Sequence, residues 1–497
     1  MSHTAYRRLE QRFARMGAIN EAAGMLHWDM AAVMPEGGHG ARAEQLAVLG
    51  VVAHEMMTAP DTVDLLAAAQ AEELDSWQRA NLAEMRRLHT HATALSPELV
   101  ERMTRARTAC EKAWRAARPA GDFAAVLQPL QVVLDLTREA AAAKAEKLRL
   151  SPYEALMDEF EPGARIAAIT PIFDDYAAFL PDFLGRVLDR QQREGAPIEP
   201  VGPFPAATQK ALAEKVMGII GFDFRHGRLD TSLHPFCGGT PDDVRITTRY
   251  DEQSFAAALM GVIHETGHAL YERGLPEAWR RQPVGQARGM ALHESQSLLV
   301  EMQAARSREF CAFLSPLLRE TYPGNDAAFA PDNLFRLYTR VAPGFIRVDA
   351  DEVTYPAHVI LRYRLEQALV SGDLALRDLP GAWNEGMMQL LGLAVANDRE
   401  GCLQDIHWFD GAFGYFPCYS LGAMNAAQFY ASAAANDPGI PAALGRGDFT
   451  PLLAWLRENV HGLGSSLTTA EIVARATGRP LDAGVFRTHL EHRYLGV

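Results

Sequence analysis

Cysteine is scarce in this sequence: five residues among 497, Cys110, Cys237, Cys311, Cys402 and Cys418, widely scattered and without a C-x-x-C pair. That excludes a disulfide framework and a cysteine zinc site, and leaves thiols expected to stay reduced and pack as small apolar groups. Runs of Lys and Arg are missing too, and the formal net charge is −14. Neither nucleic acid nor an anionic membrane is therefore expected as the main partner. No uncharged apolar run approaches the roughly 18 residues needed to span a bilayer. The first residues, MSHTAYRRLEQRFARMGAIN, lack the apolar core and small-residue cleavage site of a secretory leader. A soluble, cytoplasmic protein is the expectation.

Strand signals are few as well. Tyr6, Leu9, Phe13 and Met16 recur at helical spacing, as do Leu99, Met103, Ala106, Cys110 and Trp114. Similar patterns fill much of 75–150 and 168–220, with REAAAAKAEKL adding strong intrinsic propensity. Only 222–250, with Gly-Gly and Pro-Asp punctuating short alternating pieces, reads as two or three strands. A second interruption, WFDGAFGYFPCYSLG at 408–422, reads as a long aromatic loop with a functional role. Neither an internal repeat nor a low-complexity linker divides the chain. The expected architecture is one mostly α unit over 1–497 with a central cleft: helical through 221, a small β region at 222–250, helical again from 251.

Within the second helical part, FAAALMGVIHETGHALYERGL places His264 and His268 four apart on an apolar helix. Residues so spaced share a face, about 6 Å apart, and can bind one tetrahedral zinc. Glu265 sits beside them, within reach of a water at the metal. A catalytic zinc needs a third protein ligand and an open fourth position. GMALHESQSLLVEMQAA supplies Glu294 near the start of the next predicted helix, preferred over Glu301 because it lies closer to the returning loop. A metal so held polarises a peptide carbonyl while Glu265 takes the water's proton and passes it to the leaving amine. A structural metal clip on a binding protein is the contrasting reading; the base Glu265 speaks against it.

The same motifs, with HPF at His234–Phe236, DVRIT at Asp243–Thr247, IRVDAD at Ile346–Asp351, GCLQDIHW at Gly401–Trp408, LHWDMAAVMPEGG and PYEALMDEFEPG, resemble those of the carboxypeptidase Taq (M32) metallocarboxypeptidases over nearly the full length. The resemblance implies a helical, cleft-bearing gluzincin fold and a divalent metal, zinc or in some preparations cobalt. It also implies release of single C-terminal residues from peptides with broad specificity, and commonly a homodimer. It assigns the metal ligands to His264, His268 and Glu294 and the general base to Glu265. Reading a free C-terminal carboxylate calls for a bidentate Arg, for which Arg347 and Arg245 are the candidates. The alternative for each is an ion pair with a near neighbour: Asp349 or Asp351 for Arg347, Asp243 for Arg245. His407 and Tyr415 are candidates to donate to the developing oxyanion, with Tyr419 and Tyr355 as rivals. Asp405 or Gln404 could support them from behind. Cys418 stands where Thr is expected, and a packed, inert thiol is its expected state. An endopeptidase or dipeptidyl carboxypeptidase is the competing activity, to be separated by whether a cation is fixed on the prime side of the cleft.

Overall fold

The computed structural model of the chain describes residues 4–497. It is mostly helical, and its helices start where the sequence supplies caps. Asp75 and Gln78 form a capping box at Ser76–Thr93, and Ser151 with Glu154 forms another at Pro152–Phe160. Ser96 accepts from the Leu99 amide ahead of Pro97–Ala120, which ends on the left-handed Gly121 (φ +65°). The apolar stripes face inward as their spacing requires. Tyr6, Leu9, Phe13 and Met16 are buried along Ala5–Ala32, and Leu99, Met103 and Cys110 along Pro97–Ala120. Among the described residues no helix is long and apolar enough to cross a membrane.

Three strands form the sheet: β1 (Gly227–Thr231), β2 (Phe236–Thr240) and β3 (Asp243–Thr248). β3 is central, antiparallel to β2 across a tight turn and parallel to β1. Val244 and Ile246 point down from β3 onto Val262 and Ala269 of the helix Ala257–Gly274, so the sheet forms a lid on the helix that carries His264 and His268.

Two large apolar clusters build the core, and one helix serves both. Pro417–Asn436 sends Leu421, Met424 and Ala427 into the first and Ala426, Phe429 and Ala433 into the second. This corrects the loop expected at 408–422, because the irregular stretch ends at Phe416 and Cys418 through Gly422 are helical. A helix buried on all sides has no polar face, so no amphipathic stripe announced it. Gly422 looked like a turn signal but marks a close approach: a Cβ there would stand 2.8 Å from Glu294 Cβ.

Gly267, inside H-E-T-G-H, has the same explanation. A Cβ at that position would meet the Gln296 carbonyl oxygen and Ser297 Cα at 2.6 Å, so the helix Ala257–Gly274 touches Met290–Leu298 almost backbone to backbone. Gly267→Ala is expected to force these helices apart at an overpacking cost of about 1–3 kcal/mol, read as a lower melting temperature together with weaker metal binding. An unchanged melt would show that the helices can slide at no cost.

Candidate metal and peptide site

Ala257–Gly274 and Met290–Leu298 bring three side chains to one point. His264 Nε2 lies 3.9 Å from Glu294 Oε1, and His268 Nε2 lies 3.6 Å from Glu294 Oε2. One ligand atom from each residue falls within 4.8 Å of the other two. The opposite ring edges are occupied. His264 Nδ1 is 2.9 Å from Glu301 Oε2, while the other oxygen of Glu301 is held by Arg306. His268 Nδ1 is 2.6 Å from His293 Nδ1, and His293 Nε2 is 2.8 Å from Glu272 Oε1. A protonated Nδ1 on each ring leaves both Nε2 lone pairs facing Glu294, the tautomer a metal ligand needs.

Without a metal, the acids around His264 favour a proton on its ring, which a bound cation would displace. Burial works against a charged His264, yet Glu294 and Glu301 outweigh it and push its pKa up to about 10. His268 goes well below its ordinary value through burial, then through His293 and His264. Burial first, and then the like charge of Glu294, raise Glu265 to about 7. Two imidazole nitrogens and a carboxylate in an acidic pocket fit a divalent cation.

Glu301, the carboxylate set aside in favour of Glu294, lies at the Nδ1 edge of His264. Beyond Leu298 the helix widens to a π turn over Leu299–Ala305, which brings Glu301 alongside His264. Such turns often mark functional sites. His293 and Glu272 went unread, although Glu272 lies one turn beyond His268 on the same face. Glu161 was missed as well: its carboxylate accepts from the Ala291 amide at 2.8 Å and caps the helix bearing Glu294. Gly289 leaves room for it, since a Cβ there would fall 2.6 Å from Glu161 Oε2. This accounts for EFEPG and RGM in physical terms. A cavity of about 360 Å³ between Ala5–Ala32 and β2 reaches Glu272 and His293 from outside.

A second group of side chains gathers around Arg347, whose charge reaches Glu294. Arg347 is buried in the short 3-10 turn Arg347–Asp349. Its Nε and Nη2 donate to Asp405 Oδ1 at 3.1 and 2.9 Å, and its amide donates to Gln404 Oε1 at 2.8 Å. The partner is thus Asp405, neither Asp349 nor Asp351, and both Asp405 and Gln404 support this group. The guanidinium lies 4.7 Å from the Tyr419 ring centroid and beside Tyr355; burial raises the pKa of Glu294, and the charge of Arg347 is among those that oppose the rise. Tyr415 packs edge-on to Tyr419 at 5.2 Å, and His407 Nε2 is 3.4 Å from Tyr419 Oη. Burial, joined by the positive charges of Arg347 and Arg362, outweighs Asp405 and lowers His407 to about 4. At neutral pH it is therefore an uncharged hydrogen-bonding group. The loop before Tyr415 is tied to Glu366 by Trp408 Nε1 at 2.8 Å and the Gly414 amide at 3.1 Å.

Arg245 stands apart from this group. On β3 it forks onto Asp243, Nη2 to Oδ2 at 2.7 Å, and stacks on Trp28 at 4.8 Å. Cys418 is buried, and burial pushes its thiol far up, as expected of an inert packed cysteine.

A helical fold carrying His-Glu-x-x-His, with a glutamate from the following helix completing the set, defines a metallopeptidase of gluzincin type. Comparison with known proteins narrows the class. The family description "Carboxypeptidase Taq (M32) metallopeptidase" matches residues 8–494. The chain is 37% identical over 510 residues to Thermostable carboxypeptidase 1 of Thermus thermophilus, covering 99% of each. It is 32% identical to Carboxypeptidase 1 of Bacillus subtilis over 99% of this chain and 98% of that one. Among solved structures, Trypanosoma cruzi metallocarboxypeptidase 1 superposes with a TM-score of 0.96 at 42% identity, covering 99% of both chains. The chain belongs to the carboxypeptidase Taq (M32) family and is a metallocarboxypeptidase.

Proposed function

We propose that this metallocarboxypeptidase binds zinc, or cobalt in its place, through His264, His268 and Glu294, and releases single C-terminal residues from peptides with broad side-chain tolerance. The cation supplies positive charge that polarises the scissile carbonyl and acidifies the attacking water. Glu265 accepts that water's proton and returns it to the departing amine. Arg347 receives the terminal carboxylate; Asp405, Gln404 and the Tyr419 ring hold its guanidinium in place. Tyr415 and His407 donate to the oxygen as negative charge gathers on it, with Tyr419 and Tyr355 close enough to share the task. The observation that carries this reading is the pair of Nε2 atoms facing Glu294, with the buried Arg347 near enough for its charge to act on the same carboxylate. A fixed cation there favours cutting at the chain end over cutting within it. Five unpaired cysteines support a reducing, cytoplasmic setting, and we extend the reading to one functional unit over 1–497 working as a homodimer.

The test is digestion of a peptide followed by mass spectrometry. A ladder shortened one residue at a time from the C-terminus is expected, abolished by a chelator and restored by Zn²⁺ or Co²⁺. Full activity in metal-free protein, or internal fragments in place of a ladder, would refute the reading.

A further inference from the structure

Arg362 is fully buried on the helix Tyr355–Ser371, and the function proposed above gives it no task. Its Nε lies 2.6 Å from Asp405 Oδ2, and its Nη1 donates to the His358 carbonyl at 2.6 Å. Its guanidinium lies 4.5 Å from the Trp383 ring centroid and 5.3 Å from that of Phe416. Arg347 holds the other oxygen of the same carboxylate, Oδ1. One acid therefore serves two guanidiniums. A buried cation loses its hydration, and an apolar side chain would fill the space between Trp383 and Phe416 without that loss. The charge itself needs a reason.

The groups around the pair leave it positive. His358 and His407 are neutral, lowered to about 3 and about 4 by burial first. The remaining acid in the field of Arg362 is Glu366, whose oxygens accept from Tyr153, Trp408 and Gly414 and whose pKa burial raises to about 7. Its oxygens are committed to those three donors, and the ion-pair partner of Arg362 is Asp405. An Asp405 freed from Arg362 would turn both oxygens onto Arg347 and close a bidentate pair. The substrate would then meet a neutralised arginine.

We propose that Arg362 is a positioning residue for substrate specificity: by holding Asp405 Oδ2 it keeps that carboxylate from neutralising Arg347, whose charge and free N–H groups stay available to the terminal carboxylate of the peptide. This rests on the reading of Arg347 given above. Arg362 touches no substrate; it acts through Asp405.

The experiment uses the metal-loaded enzyme and one peptide with either a free acid or an amide C-terminus, reading the ratio of the two kcat/KM values. Arg362→Met is expected to lower the acid-to-amide ratio at least about tenfold, through KM for the acid. Adding Asp405→Asn removes the acid left behind and is expected to bring the ratio back to within about threefold of the native enzyme. A merely structural Arg362 predicts that the double variant is no better than the single one, and that result would overturn the proposal. Arg362→Gln, which keeps a hydrogen bond but no charge, replaces the methionine variant if that fails to fold, with the same expected fall. If the ratio survives Arg347→Ala, the reading of Arg347 itself fails. If it collapses there but is unmoved in Arg362→Met and Arg362→Gln, only the role of Arg362 fails.

Discussion

Glu265→Gln is expected to keep both fold and metal and to lose turnover by about 10²–10⁴-fold, or about 3–5 kcal/mol of transition-state stabilisation. The substitution is isosteric, so it leaves the packing of Ala257–Gly274 beneath the sheet intact. The histidines are oriented from their far edges by Glu301 and His293, not by Glu265, so the ligands keep their aim. What disappears is a proton acceptor whose pKa burial and Glu294 bring to about 7. A base poised near neutrality accepts a proton readily and still gives it back. Metal content measured beside kcat decides the matter. A near-normal rate would hand the proton to another group, and loss of metal along with activity would make Glu265 structural.

Arg347→Ala is expected to weaken discrimination between a free and an amidated C-terminus by about 2–5 kcal/mol. A substrate carboxylate entering this group of side chains gives up its hydration, and Arg347, beside Tyr355 and Tyr419 and with its charge reaching Glu294, is the guanidinium that replaces it. Arg347→Lys should recover only part, because an ammonium cannot hold Asp405 and the substrate with one planar fork. Arg245→Ala serves as the contrast. Its guanidinium is already forked on Asp243 and stacked on Trp28, so discrimination should be unchanged. The measurement is kcat/KM for one peptide in both forms on each variant. Discrimination that persists without Arg347 but falls without Arg245 would move the role to the sheet.

Local signals in the sequence were reliable wherever the physics was local. The i, i+4 spacing of His264 and His268, the capping boxes at Asp75 and Ser151, and the apolar stripes on Ala5–Ala32 and Pro97–Ala120 each depend on residues within a turn or two of one another. So did the expectation of a helix starting near Glu294, which needed only a helix start after a loop; that helix brings Glu294 within 4 Å of both histidines. The stretch 408–422 misled because its glycine and aromatics serve contacts with distant helices. Gly422 makes room for Glu294, and a helix surrounded by protein shows no polar face.

By itself, then, the sequence determined a helical chain with one small sheet, a helix that carries His264 and His268 on one face beside Glu265, and a following helix that carries Glu294. The tertiary structure alone decided which groups stand behind those residues. Glu301 reaches His264 through a π turn, His293 and Glu272 hold His268, and Glu161 caps a helix far along the chain. It also set the surroundings of the two arginines, tying Arg245 to its neighbour Asp243 and Arg347 to Asp405, which Arg362 shares. The reason is physical: ligand spacing is written in helix geometry over a few residues, whereas the charge an arginine offers depends on which acids the folded chain brings to it.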